Sequence, residues 1–275
     1  MIKSKELNII SNREGVRQQQ IEKDYIISWL LWGISNNAIL KEAIIFKGGT
    51  CIKKIHIEGY RYSEDMDFTI NPDMEGNISN DDIYSAFDEV FAEIKEDANL
   101  DLSISEDSKA INKSTNSIKF YVEYVGPLGG YGDHVKIDIT RGEKLQFDVE
   151  YRTIQHEYSD LEKDEFTVQC YGIKEMVIEK MAALMCRTVP RDLYDFVYLT
   201  NTWGVELQNV FYEFKRKAKL KGQKPAEFIE KVTGKKKTFE KAWQDNLRHQ
   251  IKELPKFKDV WRDFNKQLRK LGKIE

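Results

Sequence analysis

Along residues 17–33 (RQQQIEKDYIISWLLWG) the apolar side chains fall at Ile21, Tyr25, Ile26, Trp29, Leu30 and Trp32, a helical recurrence that predicts a long amphipathic helix opening the chain and stopping at Gly33. At residues 65–70 the period shortens to that of a strand: Met66, Phe68 and Ile70 lie on one side, Asp65, Asp67 and Thr69 on the other. The polar stretch 71–80 reads as a loop, and 81–97 as a helix carrying Ile83, Phe87, Val90, Phe91 and Ile94. Three further strands are predicted at 117–125, 135–140 and 145–152. The first two are joined by the turn-forming residues 126–132, so a meander-like sheet is expected. From Ile173 onward the pattern is helical: over 173–187, over 190–203 opened by Pro190, then in several helices punctuated by Gly222, Gly234 and Pro255. Strands followed by a run of helices make an α+β fold of two parts, 1–172 with the sheet and 173–275 all helical.

The 275 residues are 41% hydrophobic and 12% aromatic, enough to bury a sizeable core. No apolar run reaches the roughly 18–20 residues of a membrane span, and no signal-type segment follows the N-terminus, so a soluble, cytoplasmic protein with no membrane partner is expected. Cys51, Cys170 and Cys186 are widely spaced and outside any CxxC or Cys/His metal pattern; each is read as a reduced, partly buried thiol. His56, His134, His156 and His249 show no spacing of a metal or triad site. The net charge of −3 conceals an asymmetry: residues 201–275 hold 20 Lys+Arg against 10 Asp+Glu, while residues 1–200 hold 23 against 36. A basic part on an acidic body suits one region that holds a polyanion and another that holds cations, although solvated helix faces are basic too. Lys215, Arg216, Lys217, Lys219, Lys221, Lys224, Lys235, Lys236 and Lys237, with Lys256, Lys258, Arg262, Lys266, Arg269 and Lys270, are read as an RNA-docking lobe with salt-dependent, largely sequence-independent affinity. The aromatics among them, Phe211, Tyr212, Phe214, Phe228, Phe239, Trp243, Phe257, Trp261 and Phe264, are read as apolar helix stripes rather than base-stacking platforms.

Side chains at i and i+2 of a strand share a face, so Asp65 and Asp67 project together while Met66 and Phe68 enter the core. Like charges this close raise each other's pKa unless a cation sits between them, which points to a divalent metal. The same alternation over 135–140 buries Val135, Ile137 and Ile139 and presents Asp138 with Lys136 and Thr140; beside the first strand, Asp138 becomes a third ligand. Oxygen-only ligation suits magnesium, and two such ions roughly 3.5–4 Å apart would serve an in-line displacement at phosphorus. The alternative is that Asp65 and Asp67 are exposed charges of an edge strand, which discourage aggregation. An EF-hand is excluded, since Thr69 stands at the third acidic position and Gly76 where the closing Glu belongs. Gly48-Gly49-Thr50 favours the metal reading. Glycines before a helix let a phosphate approach free N–H groups, and Thr50 adds a hydroxyl and is read as the cap of a helix over 51–55. The lysine-containing Walker pattern is absent.

Phe46-Lys47-Gly48-Gly49-Thr50, Arg61-Tyr62-Ser63-Glu64-Asp65-Met66-Asp67-Phe68, Lys136-Ile137-Asp138-Ile139-Thr140, Glu179-Lys180-Met181-Ala182-Ala183-Leu184, Arg187 and Arg191-Asp192-Leu193-Tyr194-Asp195 together resemble the AbiEii/AbiGii toxin family. The matching blocks cover residues 46–200, and their order and combination carry the specificity. The resemblance implies a nucleotidyltransferase-like mixed sheet flanked by helices, with a helical C-terminal domain. It also implies a toxin of abortive-infection and type IV toxin–antitoxin systems, with a cognate antitoxin as partner, magnesium as cofactor and an NTP as substrate. Some members attach NMP to tRNA acceptor ends and so block translation. On this resemblance Asp65 and Asp67, joined by Asp138, hold the metals; Lys47, Gly48, Gly49, Thr50 and Ser63 line the phosphate side; and Lys180 contacts the nucleotide phosphates, with Asp192 and Asp195 in the same late blocks.

Read without the resemblance, Lys180 and Arg187 share a helix face and either reach one polyanion together or are simply solvated. Asp192 and Asp195 fall in the first turn after Pro190, where the helix dipole favours acids in any case. Ser63 either helps to bind phosphate or is a modification site whose added charge would silence the acidic pair. Two rival functions stay open: phosphoryl or nucleotidyl transfer to a protein or small molecule, and a non-enzymatic RNA-binding toxin whose acidic pair is vestigial.

Overall fold

The structure is a computed structural model that describes residues 1–112, 117–129, 133–161 and 165–272. The chain divides into two compact units, Met1–Glu143 with Val149–Tyr171, and Lys144–Asp148 with Gly172–Glu275. No helix among the described residues is long and apolar enough to cross a membrane.

The helices of the first unit are α1 (Ser4–Glu14), α2 (Gln18–Asn36), α3 (Leu40–Ala43), α4 (Gly48–Cys51) and α5 (Asn80–Ala98). The expected opening helix is therefore the second, and α1 before it ends at Gly15 in the left-handed conformation, φ 63°. Gly33 does not stop α2. It lies where α2 crosses α5, and a Cβ there would sit 2.4 Å from Val90 Cγ1, so its role is close helix approach. α2 is also buried nearly all round, polar residues Gln20, Glu22, Asp24 and Ser28 included, where a single apolar stripe is expected. Asp24 is compensated by Lys54 Nζ at 2.5 Å and by the Tyr158 hydroxyl at 2.7 Å. α5 is close to expectation and begins with a reciprocal capping box between Ser79 and Asp82.

Among the described residues the sheet has eight strands: β1 (Ile44–Lys47), β2 (Asp65–Ile70), β3 (Asp101–Ile104), β4 (Ala110–Asn112), β5 (Ser117–Val125), β6 (Asp133–Thr140), β7 (Val149–Thr153) and β8 (Thr167–Tyr171). Their order, β3-β5-β6-β2-β1-β8-β7 with β4 on β5, is mixed. The expected meander is thus wrong beyond the β5–β6 hairpin: β6 leaves its sequence neighbour β7 and inserts beside β2, in parallel, while β1 pairs β8 in parallel and β7 forms the edge. Alternation in a single strand fixes which face is buried but not which strand lies next to it. The predicted strand 145–152 is displaced to Val149–Thr153, and residues 144–148 belong to the second unit. Of the glycine-rich connection, residues 126–129 form a turn closed by Gly129 N donating to Gly126 O at 3.0 Å, and residues 130–132 lie outside the described residues.

The second unit contains α6 (Ile173–Cys186), α7 (Pro190–Val197), α8 (Phe211–Leu220), α9 (Phe228–Thr233), α10 (Lys236–Leu247) and α11 (Phe257–Leu271). Its aromatics form a core, with Phe196 against Phe264 at 5.6 Å and Phe214 against Phe228 at 5.2 Å between ring centres. Of the nine aromatics read as helix stripes, Tyr212 alone is exposed. Gly222 turns the chain at φ 69° after α8.

Candidate functional site

The parallel pairing of β2 with β6 brings the acidic residues side by side. Register places Lys47 of β1 opposite Asp67 of β2, Asp67 opposite Asp138 of β6, and Asp138 opposite Lys119 of β5. Because side chains directly opposite share a face, these four form one row across the sheet, cation, anion, anion, cation. Asp65 lies two residues back along β2 on the same face, opposite Lys136. The edge-strand alternative is thereby removed: β2 is internal, paired on both sides.

Within the row two carboxylates lie side by side, flanked by lysines. Burial pushes the Asp67 carboxyl above the usual carboxylate range, and Asp65 and Asp138 add to the rise while Lys47 and Lys136 oppose it. Asp138 is screened by Lys136 at 3.6 Å and Lys119 at 4.0 Å, and Lys47 Nζ donates to Thr140 Oγ1 at 3.3 Å. Half-buried carboxylates that share one face of the sheet are a hard-oxygen donor set of the kind that suits magnesium. Glu64, the third acid of the sequence cluster, turns away to Lys23 at 3.9 Å.

The glycine pair closes on this row. Gly48 has φ 82°, and a Cβ on it would lie 2.5 Å from Asp67 Oδ2. A Cβ on Gly49 would lie 2.5 Å from the Arg61 guanidinium and 3.3 Å from Ser63 Oγ. Backbone, carboxylate, guanidinium and hydroxyl thus meet without an intervening side chain. Thr50 is not the expected cap: α4 already begins at Gly48, and the Thr50 hydroxyl donates to the backbone carbonyl of Asp65, tying the turn to the start of β2. Past Cys51 the turn continues as a π-helical segment, Ile52–His56, rather than a regular helix to 55. Arg61 was outside the residues assigned from sequence. Its signal was available in the short spacing to Ser63, but only the fold shows that it is buried against Gly49. Ser63 is 6% exposed, which withholds its hydroxyl from a modifying enzyme in this state.

The later motif residues form a separate cluster within the second unit. Lys180 Nζ lies 2.6 Å from Asp195 Oδ2 and 3.1 Å from Asp192 Oδ1, and Arg187 reaches both Asp192 oxygens at 2.7 and 3.1 Å. Lys180, Asp192 and Asp195 are buried, so the solvated basic face is not what forms. Nor do the two aspartates cap α7, whose start at Val189 has no side-chain cap. Burial alone would raise Asp192, but Lys180 and then Arg187 hold its carboxyl below the usual range.

The basic C-terminal run is partly structural. Lys217 is buried, 2.7 Å from Glu175 and also bonded to Glu179, which removes it from any docking surface. Lys235 donates to the carbonyls of Leu184, Met185 and Arg187 at 2.9–3.3 Å and so caps the end of α6. Lys215, Arg216, Lys219, Lys236 and Lys237 remain exposed. A cavity of about 600 Å³ lined by Arg13, Asp24, Lys53, Lys54 and Tyr62 in the first unit contains none of the residues assigned from sequence. Cys51 and His56, which lie close together in the chain, converge with the distant Cys170, a grouping that no spacing in the sequence indicates.

A family model described as the nucleotidyl transferase AbiEii toxin of a type IV toxin–antitoxin system matches residues 29–269. Among solved structures, JHP933 from Helicobacter pylori is similar with a TM-score of 0.56 at 13% identity, over 92% of each chain. MenT4, a nucleotidyltransferase toxin from Mycobacterium tuberculosis H37Rv, is similar with a TM-score of 0.54 at 17% identity, over 72% of this chain and 64% of that one. The chain therefore spans less than two thirds of the length of that toxin. No protein of curated function matches.

Proposed function

The chain belongs to the AbiEii family of nucleotidyl transferase toxins of type IV toxin–antitoxin systems, and on that premise we propose that it transfers NMP from an NTP to an RNA acceptor, tRNA first, and thereby blocks translation. The observation that carries this reading is Gly48 lying against Asp67 in a row shared with Asp138. A backbone without side chains next to a carboxylate pair is what a triphosphate and its counter-ion need at once.

In this reading Gly48 and Gly49 accept the phosphate tail at close range, and the hydroxyl of Ser63 and the guanidinium of Arg61, both packed on Gly49, orient it. Asp65 and Asp67, with Asp138 beside them, would hold magnesium, which when bound neutralises charge on the reacting phosphate and favours the attacking oxygen. Lys47, directly opposite Asp67, opposes the rise of that carboxyl's pKa and adds positive charge on the phosphate side. Lys180, its ammonium held between Asp192 and Asp195, is read as a buried ion cluster of the second unit and is given no part in phosphate contact. Exposed lysines of α8 and α10 are assigned to the RNA backbone, and an antitoxin of the same system is the protein partner. Chemistry of this class depends on positioning and charge rather than on a covalent nucleophile.

Incubation with alpha- or gamma-labelled NTPs, magnesium and total RNA tests the reading. Label from the alpha position on tRNA is expected. Gamma label on any acceptor, or no label on RNA from either position, would overturn it.

A further inference from the structure

Cys51, His56 and Cys170 each present a ligand atom, and among the described residues these three atoms lie within 4.8 Å of one another. Cys51 and Cys170 are fully buried, while His56 is half-buried and leaves the cluster reachable from solvent. The three come from elements that frame the glycine turn. Cys51 ends α4, His56 ends the π-helical segment after it, and Cys170 sits in β8 opposite Phe46 of β1. His56 is already oriented from behind: its Nε2 is 2.8 Å from the Tyr171 carbonyl oxygen, which only accepts. Nε2 therefore carries the proton and Nδ1 the lone pair, and a backbone carbonyl behind the ring is the usual outer support of a metal-binding histidine.

We propose that Cys51, His56 and Cys170 bind a zinc ion that staples the Gly48–Gly49 turn to β8. Two thiolates and an imidazole are donors that select zinc over magnesium, so the site is chemically distinct from the oxygen-only row on β2. Zinc bonds of about 2.3 Å to sulfur and about 2.0–2.1 Å to nitrogen set tetrahedral ligand atoms roughly 3.5–3.8 Å apart, inside the observed envelope. The fourth position falls to water or to Glu150, the cross-strand partner of Cys170 in β7. On binding, each thiol gives its proton to solvent and its sulfur lone pair to the ion; no oxidant or reductant is involved.

The test is a Co(II) titration of the full, reduced chain, followed by displacement with Zn(II). About one equivalent of cobalt should give thiolate-to-cobalt charge-transfer absorption with the strong visible bands of tetrahedral geometry, and zinc should abolish both. Cys170→Ser should weaken cobalt binding by more than the roughly 10–100-fold typical of losing an outer support. His56→Ala should do the same with both thiols still in place, which covers the case in which Cys170→Ser fails to fold. Cys186→Ser and Asp67→Asn should keep the full spectrum, and the second of these separates this site from the acidic row. Absence of the charge-transfer band in folded, reduced wild-type chain would overturn the proposal. So would its survival in Cys170→Ser, or a Cys51–Cys170 disulfide that forms in air and is unaffected by zinc.

Discussion

Two groups of aspartates, one in each unit, are balanced in different ways. In the second unit Asp192 and Asp195 are buried around Lys180, and Asp192 is held below its ordinary pKa by that lysine and by Arg187. In the first, Asp67 is raised by burial, with Asp65 and Asp138 adding to the rise and Lys47 and Lys136 only opposing it. One cluster carries its cations within the fold, and under the proposed function the other also takes up a cation that arrives with its ligand. The same residue type thus serves as a structural element in one region and as candidate machinery in the other, and charge balance distinguishes them better than motif membership does.

The largest expected effect lies on the acidic row. Asp67→Asn should lower transfer by roughly 10³-fold, the equivalent of the several kcal/mol that a metal ion contributes at a phosphoryl centre. Its urea-unfolding midpoint should stay level or rise, because a crowded charge is removed. Lys180→Met should show the reverse emphasis: it leaves the carboxylates of Asp192 and Asp195 buried together, at a cost of about 3–5 kcal/mol in unfolding free energy. Removing the exposed partner of the same carboxylate, Arg187→Ala, should cost only about 0.2–1 kcal/mol in the same experiment. A result in which Arg187 outweighs Lys180 would break the comparison.

Acidity sharpens it further. The folded-state pKa of Asp192 is depressed, so its contribution to stability is present above the unfolded carboxylate pKa and is lost as pH falls through the folded value. Unfolding midpoints measured from neutral to acid pH should therefore fall less steeply in Asp192→Asn than in the wild type. A smaller effect is expected at the glycine turn. Gly48→Ala takes a residue with a Cβ to φ 82°, at about 1–2 kcal/mol, and pushes that Cβ onto Asp67 Oδ2. Differential scanning calorimetry should show modest destabilisation, and transfer assays a disproportionate loss of activity.

Much of this contrast was legible in the chain, but unevenly. Alternation over Asp65–Ile70 fixed the face of the carboxylates, because a period of two has only two solutions and Met66 and Phe68 chose between them. The helical half was legible for the same reason, since its aromatic spacing matched burial at every position but Tyr212. Strand order was not: β6 reaches β2 through a long-range parallel pairing that no local pattern encodes. Short β1, with Ile44, Ile45 and Phe46 all buried, lacks the alternation by which strands are recognised. Lys217 and Lys235 were misread because a lysine run looks alike whether its ammonium groups face water, a buried glutamate or the end of a helix. Cys51, His56 and Cys170 were invisible as a group, since Cys170 is brought to the other two only by the pairing of β8 with β1.

The most direct test of the central claim is a Mn(II) titration followed by electron paramagnetic resonance, with and without a non-transferable NTP analogue. The wild-type chain should bind manganese more tightly when the nucleotide is present, and Asp67→Asn should lose that enhancement while remaining folded. Equal manganese binding by the wild type and Asp67→Asn, with nucleotide and without, would contradict the assignment of the acidic row as the nucleotidyl transfer site.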